Sequence, residues 1–156
     1  MKKFVVTITR QFGSLGRPIA RRMAEILGIE YYDRDIVDQT AQELDMPASV
    51  IKHEEEKAAK QTVNPFSRMM FPLGTSHTQD KIFEAQQNII KQFADKQSCI
   101  IVGRCSDFIL GDEPDSIHIY IYASYEARLR HCIEELELEE SEARSMIRAV
   151  DEARDS

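Results

Sequence analysis

The order of apolar runs and amphipathic segments constrains the fold of this sequence more than any other feature. Four apolar runs of five to seven residues are typical of β-strands, and they occupy residues 4–9, 29–33, 99–103 and 117–123. Helical patterns lie at residues 17–27, 34–44, 48–60, 79–95, 125–136 and 139–153. Strands that alternate with helices pair in parallel, and right-handed crossovers place helices on both faces of the sheet. The sequence therefore predicts an α/β fold, with one three-layer α/β/α domain over residues 1–156 and a parallel sheet.

The apolar runs also predict which surfaces are buried. The runs at 4–9 and 99–103 are continuously apolar, as in strands that are covered on both faces. The run at 117–123 alternates Ile with His and Tyr, and these side chains are also large enough for a covered sheet. In the first helix, one apolar stripe is formed by Ile19, Met23, Ile26 and Leu27.

Charge and cysteine content exclude several classes of protein. The net charge of -7 argues against a broad nucleic-acid surface, although it allows a local basic pocket for a small anion. Cys99, Cys105 and Cys132 lack C-x-x-C spacing, so we expect neither a disulfide framework nor a zinc site, and we expect Cys99 to be a buried thiol. The first apolar run is too short for a signal peptide, and no run approaches the roughly 20 residues of a membrane helix. We therefore expect a cytoplasmic protein without membrane contact.

A glycine-containing segment, "TRQFGSLGRPIA" at residues 9–20, joins the first strand to the first helix. Phosphate-binding loops have this order, because small residues let backbone N–H groups converge on anionic oxygens and the helix start adds positive potential. Arg17 stands where such loops place lysine, and Pro18 replaces the hydroxyl residue that holds Mg²⁺. The pattern fits both a phosphate loop and a tight turn without a ligand. The candidate phosphate-binding residues are Arg10, Gly13, Ser14, Leu15, Gly16 and Arg17.

Four segments of the sequence carry a combined signal. They read "TRQFGSLGR" after the first strand, "YDRD" after the second, "IVGR" after the third and "ASYEAR" after the fourth. In this order they resemble the cytidylate kinase-like family, a branch of the P-loop nucleoside monophosphate kinases, over nearly the whole chain. The resemblance implies a P-loop NTPase-type domain that uses ATP and Mg²⁺ to phosphorylate a nucleoside monophosphate, by analogy CMP or dCMP. Because Pro18 removes the loop hydroxyl and Mg²⁺ sheds water reluctantly, we expect the Mg²⁺ to arrive with ATP, held mainly by water and phosphate, with Ser14 or Asp33 as the nearest protein candidates.

The resemblance implies roles for individual residues. The catalytic candidates are Arg17, Arg104 and Arg154, and Arg154 resembles a lid arginine that closes on ATP. The acceptor-binding candidates are Asp33, Arg34, Gly103, Arg104 and Asp107. Asp107 stands in for an acid that the family has at the position of Cys105. Asp33 has a second interpretation, as the N-cap of the following helix. No residue is assigned to a metal site.

Two parts of the chain carry further expectations. Segment 61–78 combines two prolines and a glycine with the apolar residues Phe66, Met69, Met70 and Phe71. Loops of this length are often lids or binding elements, so we expect either a lid or a contact between the two copies of a homodimer. Family members usually continue through the rest of the lid, a fifth strand and a last helix, so the C-terminal part is expected to be short here.

Two other classes of function are also open. The first is a nucleotide-binding regulatory module that keeps the pocket and has lost catalysis, which Pro18, Cys105 and the early end of the chain favour. The second is a plain structural α/β domain. Arg128 is predicted to be a solvated helix charge or a partner of a nearby glutamate, and residues 53–57 are predicted to form a solvated helix face.

Overall fold

The computed structural model describes residues 2–61 and 77–155, and side chains within 2–55 and 77–152. Segment 61–78, which the sequence predicts to be a lid or a dimer contact, lies almost wholly outside the described residues. The same is true of its apolar cluster, which consists of Phe66, Met69, Met70 and Phe71.

Four strands and seven helices form the described part of the chain. The strands are β1 (Val5–Arg10), β2 (Glu30–Tyr32), β3 (Cys99–Val102) and β4 (Ser116–Ile121). The helices are α1 (Gly16–Leu27), α2 (Arg34–Leu44), α3 (Ala48–Gln61), α4 (His77–Lys96), α5 (Ser106–Ile109), α6 (Tyr125–Glu134) and α7 (Glu140–Asp155). Every predicted strand and helix is present, and only the short helix α5 was not predicted.

The four strands form one parallel sheet in the order β2-β3-β1-β4, which confirms the predicted fold class. The carboxyl ends of β1, β2 and β3 therefore lie along the same edge of the sheet. The chain crosses from β1 to β2 on one side and from β3 to β4 on the other, so the crossovers diverge between β1 and β3. Open α/β sheets bind their ligands at such a point of divergence.

Helices bury both faces of the sheet. On one face, side chains of β1 and β3 pack with those of α2 and α4; this cluster includes Val5, Ile36, Ile89, Ile90, Cys99 and Ile101. On the other face they pack with α1; this cluster includes Val6, Ile8, Ala20, Ala24, Ile100 and Val102. The two clusters make the three layers that the alternating pattern predicts.

Helix α1 meets the sheet mainly with its small side chains, and of the apolar stripe seen in the sequence Met23 alone packs against that face. Ala20 and Ala24 are buried, whereas Ile19, Ile26 and Leu27 are exposed. The turn after β1 fixes where α1 begins, and this decides which side of the helix faces the sheet. Alanines on that side let the helix approach the strands closely.

Strand β4 is more exposed than the sequence predicts. Ile117 and Tyr120 are each 56% exposed, and Tyr122, just after the strand, is 73% exposed. The reason is its place in the sheet, because within the described residues β4 pairs only with β1 and forms an edge. An edge strand keeps part of its surface in contact with solvent.

Candidate functional site

An arginine cluster, consisting of Arg10, Arg17, Arg104 and Asp33, lies where the crossovers diverge; Arg17 and Arg104 contact Asp33, and Arg10 lies beside Gly16 and Gly103. Arg10 ends β1, Arg17 lies in the first turn of α1, Asp33 follows β2 and Arg104 follows β3. Parallel pairing of β1, β2 and β3 brings these four positions to one edge of the sheet. The structure thus joins residues that the sequence assigns to phosphate binding and to acceptor binding.

The carboxylate of Asp33 is the centre of this cluster. It is 2% exposed, its Oδ2 lies 2.8 Å from Nε of Arg17, and its Oδ1 accepts a 2.9 Å hydrogen bond from Nη1 of Arg104. Asp33 occupies the N-cap position of α2, but its side chain makes no cap hydrogen bond. The buried negative charge is therefore compensated by two guanidinium groups, as a buried carboxylate requires.

Tyr31 supports Asp33 from β2. Its hydroxyl donates a 3.3 Å hydrogen bond to Oδ2 of Asp33, and the guanidinium of Arg21 lies 5.6 Å from the centre of its ring. Burial, and then the nearby charge of Asp33, raise the pKa of Tyr31 above its ordinary value. The hydroxyl therefore stays protonated at neutral pH and remains a donor to the carboxylate.

Arg104 is held in a strained turn at the end of β3. Gly103, Arg104 and Cys105 have φ of 71°, 56° and 57°, and the N–H of Ser106 donates to the carbonyl of Gly103 over 3.1 Å. Two successive non-glycine residues in the left-handed region cost free energy, and such strain is concentrated at functional sites. The turn directs Arg104 toward Asp33, with its Nε 3.5 Å from Oε1 of Glu55 in α3. Glu55, which lies in the predicted solvated face at 53–57, thus also contacts the cluster.

Arg10 spans the space between α1 and β3. A Cβ placed on Gly16 would lie 2.5 Å from the Cβ of Arg10, and one on Gly103 would lie 2.9 Å from its Nη1. The two glycines therefore leave room for the stem and the head of one arginine side chain. This places a third guanidinium beside the turn that carries Arg104.

The glycine turn, residues 11–15, packs closely against α6. Gly13 has φ of 79°, and a Cβ there would lie 3.0 Å from the carbonyl oxygen of Arg128 and 3.1 Å from Sγ of Cys132. The hydroxyl of Ser14 donates to the carbonyl of Gln11 over 2.7 Å. Gly13 and Ser14 thus shape the turn by their contacts within the protein.

The start of α1 offers backbone donors. Leu15 is the N-cap residue in the left-handed conformation, with φ of 64°. Among the described residues, no acceptor meets the N–H groups of Leu15, Gly16 or Arg17. The first N–H groups of a helix have no partner within the helix, and they carry the positive end of its dipole. This end of α1 can therefore hold an anion.

Two residues of α6 that the sequence did not assign to the site hold the glycine turn. Arg128 is 4% exposed, and its Nε donates to the carbonyl of Phe12 over 2.8 Å, so it is not a solvated helix charge. Nδ1 of His131 lies 2.7 Å from the carbonyl oxygen of Gly13. The available signal was helical spacing, since Arg128 lies one turn before Cys132, an apolar and buried position of the same face.

Other predicted site residues make no described contact with the cluster or lie outside the described residues. Arg34 begins α2 and Asp107 lies in α5, and both are exposed. The side chain of Arg154 lies outside the described residues. Where side chains are described, no three His, Cys, Asp or Glu residues are arranged to hold a metal ion. None of the helices that could be searched has the length and apolar composition of a membrane span.

Comparisons with known proteins agree with this architecture. A model of the cytidylate kinase-like family matches residues 5–156. The chain is 25% identical to an uncharacterized protein from Eubacterium ventriosum ATCC 27560, over 97% of this chain and 73% of that one, with a TM-score of 0.68. TT1252 from Thermus thermophilus is 14% identical, over 96% and 81% of the two chains, with a TM-score of 0.52. No curated protein matches the chain significantly.

Proposed function

The chain belongs to the cytidylate kinase-like family, and we propose that it transfers a phosphoryl group from ATP to a nucleoside monophosphate, with CMP or dCMP as the acceptor. Family membership supports a nucleotide kinase-type function. The arginine cluster carries the proposal for this chain, because its guanidinium groups converge where an open α/β sheet binds ligands. Phosphoryl transfer needs mainly positioned positive charge, which offsets the charge on the phosphate oxygens.

The described residues fit the phosphates of ATP. The N–H groups of Leu15, Gly16 and Arg17 are available at the start of α1. The buried Nε atoms of Arg17 and Arg104 make ion pairs but no hydrogen bond within the described part of the chain. Phosphate oxygens would give these donors well-aligned, charge-assisted hydrogen bonds. ATP supplies the phosphoryl group that is transferred.

The protein offers Mg²⁺ little direct support in the residues that the structure describes. The hydroxyl of Ser14 is buried and donates to a backbone carbonyl, and the carboxylate of Asp33 faces two guanidinium groups. Both arrangements disfavour direct coordination of a cation. Mg²⁺ retains several waters readily and binds substrate phosphates, so we propose that it enters with ATP.

Asp33 gives the cluster a way to respond to phosphate. Without an anion, its carboxylate holds Arg17 and Arg104 in place and offsets their charge. A phosphate group competes with Asp33 for the same guanidinium nitrogens, and each contact that it gains is charge-assisted. Arg17 is the more accessible partner, since its side chain is 40% exposed against 14% for Arg104. In this proposal Arg17 contacts ATP and Arg104 contacts the acceptor.

A regulatory nucleotide-binding module is the second candidate. Pro18 follows Arg17 where phosphate loops carry a hydroxyl, and Cys105 occupies the position of a family acid. Asp107, which was expected to replace that acid, is exposed in α5 and makes no described contact with the cluster. These departures affect catalysis more than binding, so a module of this kind would bind ATP and the monophosphate without transferring phosphate.

Two measurements on the full chain separate the candidates. The first follows ADP formation from ATP with CMP, dCMP, UMP, AMP, GMP or dTMP in turn, and the second measures ATP and CMP binding by calorimetry. A kinase forms ADP fastest with CMP or dCMP. Binding of both ligands without ADP formation supports the regulatory module, and absence of binding contradicts both candidates.

A pair of α1 variants connects this assay to the cluster. Arg17→Met removes one of the two guanidinium groups that contact Asp33, whereas Arg22→Met removes an exposed one that pairs with Glu25 on the surface. We expect Arg17→Met to lose ATP binding and Arg22→Met to keep it. Equal ATP affinity in the two variants would exclude Arg17 from the nucleotide site.

A further inference from the structure

An ion pair between the buried Arg128 and the partly buried Asp151 links the glycine turn to α7. Arg128 donates from Nε to the carbonyl of Phe12, and its Nη1 and Nη2 donate to Oδ2 and Oδ1 of Asp151 over 3.0 and 2.6 Å. A bidentate contact between guanidinium and carboxylate fixes orientation as well as distance. With Asp151 in place, the guanidinium has one orientation, and its Nε is directed at the turn.

Gly13, the residue after Phe12, is also held against α6. Nδ1 of His131 lies 2.7 Å from the carbonyl oxygen of Gly13, and because a carbonyl only accepts, that nitrogen carries the proton. The Cα of Gly13 lies against the backbone of Arg128 and the thiol of Cys132. Two successive carbonyls of the turn are therefore bound to α6, directly before the backbone donors at the start of α1.

We propose that Arg128 is a positioning residue for the glycine turn, and that Asp151 of α7 sets its orientation. Arg128 contacts no described residue of the arginine cluster and acts through the carbonyl of Phe12. Loss of the Asp151 charge would leave a guanidinium that is 4% exposed without its counter-ion, and the turn would loosen. One consequence rests on the proposed function: a looser turn presents the N–H groups of α1 less well and binds ATP more weakly.

The chain contains a matched control on the same helix. Glu140 and Arg144 form an ion pair within α7 with a closest distance of 2.8 Å, but both side chains are more than half exposed. This pair makes no contact with the glycine turn. Glu140→Gln and Asp151→Asn both replace a carboxylate by an amide. The first change affects the partner of the exposed Arg144, and the second affects the partner of the buried Arg128.

Amide hydrogen exchange in the nucleotide-free chain tests the proposal. The informative amides are Gln11 and Ser14, whose N–H groups donate to the carbonyls of Ile121 and Gln11. We expect Asp151→Asn to speed their exchange by about tenfold and Glu140→Gln to leave it unchanged, because one charge-assisted bond is lost near the turn. Unchanged exchange in folded Asp151→Asn would overturn the proposal.

Two further measurements make the result specific. Arg128→Lys keeps the charge but loses the bidentate fork, so it should also speed exchange at Gln11 and Ser14. Exchange that rises equally in β3 and α4 would indicate general destabilisation and would overturn a positioning role. ATP affinity should fall about tenfold in Asp151→Asn, with CMP affinity unchanged. If the wild-type chain binds no ATP, the proposed function is contradicted. The positioning role of Arg128 is tested separately, by the amide exchange rates in the nucleotide-free chain.

Discussion

Oδ1 of Asp33 lies 2.9 Å from Nη1 of Arg104, although 71 positions separate the two residues in the sequence. The distance is short because β2 and β3 are neighbours in the sheet and both residues follow the carboxyl ends of these strands. Asp33 also contacts Arg17, so one buried carboxylate connects the helix start proposed for ATP with the turn proposed for the acceptor.

Arg104 should serve the acceptor more than ATP. Arg104→Ala removes a largely buried guanidinium but leaves the α1 donors and Arg17 intact. Loss of a charge-assisted contact costs about 1.5–3 kcal/mol, so CMP affinity should fall by about one to two orders of magnitude with ATP affinity nearly constant. Calorimetry with each ligand measures this, and Arg148→Ala, an exposed arginine of α7, is the control. An equal loss for both ligands would assign Arg104 to the stability of the cluster.

Gly16 should tolerate no side chain, because of Arg10. In Gly16→Ala the new Cβ would lie 2.5 Å from the Cβ of Arg10, which cannot move without the backbone of β1. Overpacking of this kind costs about 1–3 kcal/mol, and displacement of Arg10 should weaken ATP binding as well. Chemical unfolding and ATP titration report the two effects.

Gly28→Ala is the matched glycine variant. Gly28 ends α1 with φ of 65°, and nothing lies within 4 Å of a Cβ placed there. This change should cost only the strain of a left-handed alanine, about 1 kcal/mol, and leave ATP affinity unchanged. If Gly28→Ala weakened ATP binding as much as Gly16→Ala, the contact with Arg10 would not be the cause.

The three cysteines should differ sharply in reactivity. Cys105 is exposed, whereas Cys99 and Cys132 are fully buried, and burial raises the pKa of both buried thiols. A thiol reagent should therefore label one cysteine per native chain and all three after unfolding. Cys105→Ser should remove the native labelling. Labelling of a second thiol at the same rate in the native chain would contradict the described packing.

Stability should fall at alkaline pH, in part through Cys99. Burial raises the pKa of this thiol to about 11 from 9.0, so above pH 9 the unfolded state loses the proton before the native state does. The stabilisation is fully present below pH 9 and is lost as the pH rises through 11, at a slope of up to about 1.4 kcal/mol per pH unit.

Urea unfolding between pH 8 and 11 measures this slope. Cys99→Ala should unfold at a lower urea concentration at every pH, because it removes part of a packed side chain. Its free energy of unfolding should, however, depend less steeply on pH than that of the wild type. Cys105→Ala changes an exposed thiol and should keep the wild-type slope. Parallel curves for wild type and Cys99→Ala would show that the buried thiol does not titrate as expected.

The sequence by itself determined the order of the elements and the parallel sheet. Apolar runs and helical periodicity are local properties, and the alternation of strand and helix leaves few topologies. The same local signals placed Arg10, Arg17, Asp33 and Arg104 at the ends of strands or the start of a helix. The assignment of these residues to ATP, to the acceptor or to catalysis stays a prediction.

Only the tertiary structure decided which side chains meet. The sequence allowed Asp33 to be the N-cap of α2, but its side chain makes no cap hydrogen bond. Instead, the packing of the strands and α1 brings Arg17 and Arg104 to its carboxylate. Arg128 resembled a solvated charge, but the crossing of α6 over the glycine turn buries it. Contacts between residues far apart in sequence depend on how elements pack, and periodicity within one segment carries no information about the partner segment.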